Sequence, residues 1–316
     1  MGGEMAEAQN KLVSVAAVVL TLPLKMPRLP ERGTTVLGSA ERPGVGESAE
    51  VMLAAARQGI PVVNMSCLGT GPNSTQARQV LRDANIETHT VEVVGDIGMK
   101  IQMIEAGGYY ASVLTTGVEV DISGRELDKV SMRPGDVVYI SAGDLAHTSY
   151  RAALAQWLPS LPEQVTVVMA ATPQISQIKP EYVSEVLPYV DVVTCNEYES
   201  QFLPGSVGRL TSGYVAEKLP ESAWVVERVG PYGAKLIDAE RQTMVPSISV
   251  EVADTLGVGS AHTGVLLAEL VKGRDRLQAL ERANVAGAMA AEKHGNDTCP
   301  RASEIEQRLS EIPTYR

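Results

Sequence analysis

The chain has 316 residues, of which 44% are hydrophobic and 21% are charged, a composition typical of globular proteins with one large α/β domain or two smaller ones. Its formal net charge of −11 argues against a surface for nucleic acid or anionic membrane, because either partner needs a basic field. The cysteines are far apart and odd in number, so neither a zinc site nor a disulfide framework is expected: Cys67, Cys195 and Cys299.

The first apolar stretch, residues 13–24, is too short to span a membrane and is interrupted by Pro23. The residues before it lack the positive flank of a signal peptide. We therefore expect a cytoplasmic protein with no membrane contact. Residues 1–10 are expected to form a disordered tail and residues 11–316 a single domain.

Short β-branched runs alternate with longer amphipathic stretches along most of the chain. Strands are predicted at Lys11–Leu20, Pro61–Cys67, Asp136–Ser141, Thr166–Ala171, Asp191–Cys195, Ala223–Val229 and Ala234–Asp238. Helices are predicted at Ser48–Gln58, Ser74–Ala84, Thr148–Leu158, Pro180–Leu187, Val207–Lys218, Ala261–Lys272 and Arg276–Lys293. Continuous apolar strands separated by helices of this length indicate an α/β protein with a parallel sheet covered on both faces.

Two regions interrupt this alternation and predict a small β lid, formed by residues of about 22–46 and 88–120. The first is rich in Pro, Arg and Gly. The second predicts consecutive strands that would form an antiparallel flap at the edge of the main sheet: Thr88–Val94, Met99–Glu105 and Tyr109–Leu114. An exposed lid edge of this kind often pairs with a partner subunit.

The run from Asp254 to Gly264 predicts an anion-binding site. Gly257 and Gly259 flank Val258 where a loop enters an apolar helix. Such an entry presents free backbone N–H groups and the positive end of the helix dipole to a ligand. A single Gly-x-Gly before a helix is common, so the rest of the chain must support this interpretation.

The same run resembles the signature of the ribokinase (phosphofructokinase-B) family of small-molecule kinases, whose usual form is Asp-Thr-x-Gly-Ala-Gly-Asp. Four further motifs follow the family's order, at Gly46–Gly59, Asn196–Glu199, Arg228–Gly233 and Ala283–Ala288. The resemblance implies a ribokinase-like three-layer α/β/α fold with a mainly parallel sheet and a small β lid. It also implies phosphorylation of a small-molecule hydroxyl with ATP and Mg²⁺, and a homodimer formed through the lid.

The resemblance assigns a role to each group of matching residues. The amides of Gly257, Val258 and Gly259 would stabilise the transferring charge, and Ser260 occupies the position of the family's general base. Asn196 and Glu199 would organise magnesium indirectly. Nucleotide would contact Asn196, Arg228, Gly230, Gly233, Asp254, Thr255 and Asn284, and acceptor would contact Thr21, Gly46 and Glu50.

Some of these residues also have simpler explanations. Asn196 and Glu199 could cap the helix that follows them. Gly230 and Gly233 could form an ordinary hairpin turn, although we favour a turn that also contacts nucleotide.

Ser260 is the first departure from the family pattern. The family has an aspartate at this position, and a serine hydroxyl cannot accept a proton at neutral pH as a carboxylate does. His262 is a possible substitute. Residues i and i+2 of a helix point in nearly opposite directions, however, so a packed or capping role is expected for His262.

The other departures affect the acceptor and nucleotide sites. Thr21 replaces the carboxylate that holds sugar hydroxyls in the family, and Glu50 replaces an asparagine. A common sugar therefore fits only if Glu50, Asp144 or lid residues take over this role. Arg228 replaces a threonine, and it could bind phosphate or fill the nucleotide site by pairing with Glu227 or another acid.

Two functional hypotheses follow, and both stay open at this stage. In the first, the protein is an ATP-dependent kinase with weakened or lost general-base catalysis. In the second, it is a pseudokinase that retains the fold and binds a ligand or a partner. A structural subunit without a ligand is a third, weaker alternative.

Overall fold

The computed structural model describes residues 9–106, 109–203, 219–295 and 298–311. Its central sheet has nine strands, in the order β14-β13-β12-β11-β10-β9-β1-β5-β6. These are β1 Leu12–Ser14, β5 Val62–Asn64, β6 Glu87–Thr88, β9 Val137–Ser141, β10 Thr166–Ala170, β11 Val192–Asn196, β12 Trp224–Arg228, β13 Gly233–Ile237 and β14 Gln242–Pro246. Strands β13 and β14 are antiparallel to their neighbours, and the other seven strands are parallel.

Helices cover both faces of this sheet. They are α1 Ser48–Ala56, α2 Pro72–Asp83, α3 Gly124–Leu127, α4 Thr148–Trp157, α5 Pro180–Val186, α6 Val258–Val271, α7 Arg276–Ala291 and α8 Ala302–Glu311. Successive residues of one strand belong to opposite cores, since side chains alternate along a strand. Val13 belongs to the same core as Leu154 of α4, and Leu12 belongs to the same core as Met52 of α1. The predicted three-layer α/β/α arrangement with a mainly parallel sheet and a β lid is confirmed.

Two predicted segments fall wholly or largely outside the described residues, namely the helix over 207–218 and positions 1–8 of the N-terminal tail. Within the described ranges, no helix is both long enough and apolar enough to cross a membrane.

The predicted strand Lys11–Leu20 is divided between two sheets, so the prediction of one continuous strand was wrong. Strand β1 ends at Ser14, and β2 spans Val18–Met26 in the lid. At the break, side chains replace strand partners: Ala17 N donates to Asp144 Oδ2 at 2.8 Å, and Val18 N donates to Ser66 Oγ at 3.0 Å. These bonds satisfy the backbone while the chain leaves the central sheet.

The lid is a five-stranded sheet with the order β3-β2-β7-β8, and β4 also pairs with β2. Its further strands are β3 Ser39–Ala40, β4 Gly44–Glu47, β7 Met99–Glu105 and β8 Tyr110–Leu114. The predicted strand Thr88–Val94 is not part of the lid, because Thr88 pairs with Asn64 in the central sheet. The antiparallel pairing predicted within residues 88–120 is present between β7 and β8, whereas β2 and β7 are parallel. Because β2 and β7 are far apart in the sequence, no local pattern predicted that they pair.

Candidate active site

A cavity of about 450 Å³ lies between the lid and the carboxyl ends of four central strands, β9 to β12. Open α/β sheets place their ligands at such strand ends. Most of the residues singled out by their motifs line this cavity: Glu50, Asn196, Glu199, Arg228, Gly230, Gly233, Thr255, Gly257, Val258, Gly259, Ser260 and Asn284. Thr21, Gly46 and Asp254 are absent from the described lining.

The N-terminus of α6 forms one wall of the cavity. Gly257 precedes the helix in the left-handed region, with φ of 74°, and no side chain among the described residues caps the helix start. The first-turn amides are therefore available to an anion. Asp254 holds the preceding loop, because its carboxylate accepts hydrogen bonds from Leu256 N at 3.1 Å and Gly295 N at 3.2 Å.

Ser260 and Glu50 contact each other across the cavity wall. The Ser260 hydroxyl donates a hydrogen bond to Glu50 Oε2 at 2.9 Å. Each residue lies in the first turn of its helix, Glu50 in α1 and Ser260 in α6. The helices pack so closely that a Cβ on Gly264 would lie 2.6 Å from Val51 O, so Gly264 permits this approach. A carboxylate and a hydroxyl from separate helices thus meet beside the uncapped first-turn amides of α6.

Asn196, Glu199 and Arg228 form a connected polar group at the ends of β11 and β12. Asn196 Oδ1 accepts a hydrogen bond from Glu199 N at 2.8 Å, and Glu199 Oε2 accepts one from Asn196 N at 2.9 Å. Arg228 Nη2 lies 3.1 Å from Glu199 Oε2, and its Nη1 donates to Thr194 Oγ1 at 2.8 Å. The acidic partner of Arg228 is therefore Glu199. Glu227 pairs with Lys235 instead.

The turn of Gly230 and Gly233 joins β12 to the antiparallel β13, as the hairpin interpretation requires. Both glycines also line the cavity. The nucleotide contact that we favour for this turn stays a prediction.

His262 and Asn284 form a buried pair. A hydrogen bond of 3.1 Å joins His262 Nε2 to Asn284 Oδ1, and Asn284 Nδ2 donates to Val245 O at 2.8 Å. Burial lowers the pKa of His262 to about 3, with a further contribution from the charge of Arg228. The imidazole is therefore neutral at physiological pH and is bonded to Asn284, as expected for a packed histidine.

The opposite end of the cavity contains polar groups that the sequence motifs did not identify. Glu47 forms an ion pair of 2.9 Å with Lys100 of β7, and Gln174 Nε2 donates to Glu47 Oε2 at 3.3 Å. Gln102 and Tyr110 of the lid also line the cavity. Glu47 lies inside the predicted Gly46–Glu50 motif and could have been found there. Lys100 depends on the register of the lid strands.

Asp144 completes the polar end of the cavity. Its Oδ2 accepts the hydrogen bond from Ala17 N. Burial raises the pKa of Asp144 to about 7, and the negative charges of Glu47 and Glu119 add to this effect. The carboxyl therefore exchanges its proton near neutral pH.

Thr21 and Gly46 contact each other below the cavity. A Cβ on Gly46 would collide with Thr21 Oγ1, so the absence of a side chain allows β4 to lie against β2. Thr21 is buried, and no partner for its hydroxyl is found among the described residues. The acceptor contact predicted for this pair stays a prediction, and its position indicates packing.

The comparisons with known proteins agree with this architecture. The model of the pfkB family carbohydrate kinases matches residues 10–302. The chain belongs to the PfkB family. An ATP-dependent ribose-1-phosphate kinase from Halopiger xanaduensis (strain DSM 18323 / JCM 14033 / SH-6) is 25% identical over 304 residues, covering 95% of this chain and 98% of the relative.

Two solved structures show how far the PfkB fold is retained. The structure of ribokinase from Giardia lamblia superposes with a TM-score of 0.82 at 17% identity, covering 96% of this chain and 99% of the other. Aminoimidazole riboside kinase from Salmonella enterica, complexed with aminoimidazole riboside and an ATP analog, gives a TM-score of 0.74 at 22% identity, with coverage of 94% and 99%.

Proposed function

We propose that this PfkB protein is an ATP-dependent kinase that transfers the γ-phosphoryl group to a hydroxyl of a sugar or nucleoside. The observation that carries the proposal is the position of the uncapped N-terminus of α6, which shares one cavity with a cluster of hydroxyl-binding side chains. Phosphoryl transfer depends mainly on positioning and charge stabilisation. In this proposal, the polar side chains of the cavity position the acceptor, and the α6 amides stabilise the charge.

The nucleotide end lies between the β12–β13 turn and α6. We infer that Gly230, Gly233 and Thr255 contact the nucleotide, while the amides of Val258 and Gly259 bind the phosphates. Asn284 lines the same wall, although its side-chain atoms already bond to His262 and Val245, so it would contact the base by packing.

Magnesium fits this end of the cavity when it is held mainly by the triphosphate. The described residues contain no group of three or more acidic, histidine or cysteine side chains that could hold a metal ion. Mg²⁺ usually keeps several waters and needs only one or two carboxylates together with phosphates. Glu199 would bind it through water, with Asn196 fixing that carboxylate. The ion would offset the negative charge of the phosphates.

The acceptor end favours a hydroxyl-rich molecule without a phosphate of its own. Glu47, Glu50 and Asp144 provide three carboxyl groups, and Lys100 provides one ammonium group that is already paired with Glu47. Such a cavity binds neutral hydroxyls by hydrogen bonding and repels anions. We therefore propose a free sugar, sugar alcohol or nucleoside as acceptor. The ribose-1-phosphate kinase relative acts on a phosphorylated sugar, and this chain would differ from it.

We also propose that the protein works in the cytoplasm as a homodimer formed through the lid. The outer strand β8 exposes apolar side chains, with Val113 51% and Leu114 40% accessible. An exposed strand edge with apolar neighbours is suited to pairing with a second copy.

The ion pair between Arg228 and Glu199 favours the pseudokinase alternative. It places a fixed positive charge beside the carboxylate expected to organise the metal, at 3.1 Å. If this pair excludes Mg·ATP, the cavity would serve only as a ligand-binding site.

Calorimetric titration with ATP and Mg²⁺, followed by a coupled ADP-release assay with ribose, fructose, inosine and ribose 1-phosphate, tests the proposal. A Cβ on Gly259 would meet no described atom within 4 Å, so Gly259→Ala is a matched control for Gly259→Asp. We expect the aspartate to weaken ATP binding at least tenfold, because it places a negative charge at the phosphate site, while alanine leaves binding within about threefold.

Micromolar ATP binding with transfer to a neutral acceptor would support the proposed function. Binding without transfer to any acceptor would favour the pseudokinase alternative. Absence of nucleotide binding at millimolar concentration would contradict the proposed kinase function.

A further inference from the structure

We propose that Glu50 is the general base of this kinase and that Ser260 positions it. The inference rests on the proposed phosphotransferase function. It assigns the proton-accepting role to a carboxylate on α1, away from the family's base position on α6.

The geometry places a carboxylate where the reaction needs one. Ser260 occupies the family's base position in the first turn of α6, directly after the phosphate-binding amides. Its hydroxyl ends 2.9 Å from Glu50 Oε2, so the Glu50 carboxylate reaches the same part of the cavity from the opposite helix. A glutamate side chain is one methylene longer than an aspartate, and this helps it to span the distance between the helices. Because Ser260 donates to one carboxylate oxygen, it fixes the orientation of the group.

The family pattern strengthens this assignment. The usual pattern has an asparagine at position 50 and an aspartate at position 260, whereas this chain has Glu50 and Ser260. Compared with that pattern, this chain has its carboxylate at position 50 and its neutral polar group at position 260. One carboxylate and one neutral polar group remain, and only their positions are exchanged.

Charged and neutral groups from several elements lie around Glu50. Lys100, on β7, lies close enough for Glu50 to contribute to the raised pKa of its ammonium group, although burial acts in the opposite direction and Glu47 contributes more. Glu47 and Asp144 are the acidic groups that share this end of the cavity. His262, on α6, is buried against Asn284 and is neutral.

The proposed step balances in atoms and charge. The acceptor hydroxyl oxygen forms a bond to the γ-phosphorus, and the bond between that phosphorus and the β,γ-bridging oxygen breaks. The hydroxyl proton moves to the Glu50 carboxylate, and ADP leaves with the electron pair of the broken bond. The amides of α6 stabilise the charge on the transferred group.

Kinetics on four proteins test the assignment: wild type, Glu50→Gln, Ser260→Ala and the exchange variant Glu50→Asn/Ser260→Asp. Glutamine preserves the size of Glu50 and removes only its ability to accept a proton. We expect Glu50→Gln to lower kcat by about 10²–10⁴-fold, the usual range for general-base catalysis. ATP affinity and the urea unfolding midpoint should be unchanged, which shows that the variant is folded.

The pH profile separates catalysis from a structural role. In the Asp144→Asn background, which removes the titration of the neighbouring carboxyl, the acidic limb of kcat/KM should be present with Glu50 and absent in Glu50→Gln. In Ser260→Ala it should shift to higher pH, because the carboxylate loses a hydrogen bond to its charged form, and kcat should fall by about tenfold. The exchange variant restores a carboxylate at the family's position and should be at least tenfold faster than Glu50→Gln.

The two proposals fail in different ways. Wild-type protein that transfers phosphate to no acceptor would overturn the proposed function, and this inference with it. Active wild-type protein whose kcat and acidic limb survive in Glu50→Gln would overturn this inference alone. An exchange variant that is folded, binds ATP and is no faster than Glu50→Gln would also contradict it.

Discussion

At the residue scale, Asp144 shows how one half-buried carboxyl can link the lid, the central sheet and the cavity. It accepts the backbone hydrogen bond of Ala17 at the point where the chain passes from β1 to β2. Its raised pKa, about 7, means that the folded protein favours the protonated form relative to the unfolded chain, whose pKa is 3.8. The stability contributed by that proton is fully present below about pH 3.8 and is lost as the pH rises through 7.

Replacing Asp144 by asparagine should remove this loss, because an amide oxygen can still accept the Ala17 hydrogen bond without becoming charged. We expect Asp144→Asn to gain on the order of 2 kcal/mol of unfolding free energy relative to wild type between pH 5 and pH 8, a value reduced from the full linkage because the side chain is partly exposed. Urea unfolding followed by tryptophan fluorescence at each pH measures it.

Asp96 provides the matched control. Burial acts to raise its pKa, but hydrogen bonds from Ser74, Asn73 and Ile97 outweigh this, and the net pKa is lowered. Its titration is complete below pH 5, so Asp96→Asn should show a constant difference from wild type between pH 5 and pH 8. An equally flat difference for Asp144→Asn would contradict the prediction.

At the element scale, the contact of β4 with β2 determines how the lid joins the start of α1. Val19 pairs with Gly46, and Glu47 follows directly as the residue that precedes α1, with φ of 54°. The missing side chain at Gly46 lets the strands approach over Thr21. This approach sets the position of Glu47, which holds Lys100 of β7.

Gly46→Ala should therefore destabilise the protein by about 1–3 kcal/mol, because the new methyl group collides with the buried Thr21 hydroxyl. Gly44→Ala, in the same strand, is the control, since its Cβ would meet no described atom within 4 Å. Thermal unfolding of both variants and of Gly46→Ala/Thr21→Ala, which removes the colliding hydroxyl, measures the difference. Equal unfolding temperatures for the two alanine variants would show that the contact does not restrict β4.

At the scale of the whole molecule, some residues of the lid line the cavity, while others on its outer strand β8 are exposed to solvent. Lys100, Gln102 and Tyr110 line the cavity, whereas Val113 of β8 is exposed. A dimer formed through β8 would therefore stabilise β7 and β8, the lid strands that line the acceptor end of the cavity.

We expect the wild-type protein to be a dimer by light scattering and Val113→Lys to be a monomer, because burying an unpaired ammonium group at an interface is unfavourable. Leu277→Lys is the control, as Leu277 is 43% exposed on α7 outside the lid. Wild-type protein that is monomeric at micromolar concentration would contradict the proposal, as would a Val113→Lys variant that remains dimeric.

The local pattern of the sequence was sufficient to predict most central elements. Apolar runs such as Asp136–Ser141 and Thr166–Ala171 correspond to β9 Val137–Ser141 and β10 Thr166–Ala170, because a strand buried on both faces is apolar along its length. The boundary between β1 and β2 was missed, since it depends on Asp144 and Ser66, which are remote in sequence and replace strand partners there.

The sequence by itself determined the family, the three-layer fold and the glycine-bounded, uncapped start of α6, because each depends on local periodicity or on glycines at fixed spacing. Tertiary structure alone decided which partner each polar side chain takes. Glu50 bonds to Ser260, Arg228 pairs with Glu199, and Lys100 pairs with Glu47. These pairs join separate elements, and the packing of helices and the register of strands bring them together, so no local sequence pattern could specify them.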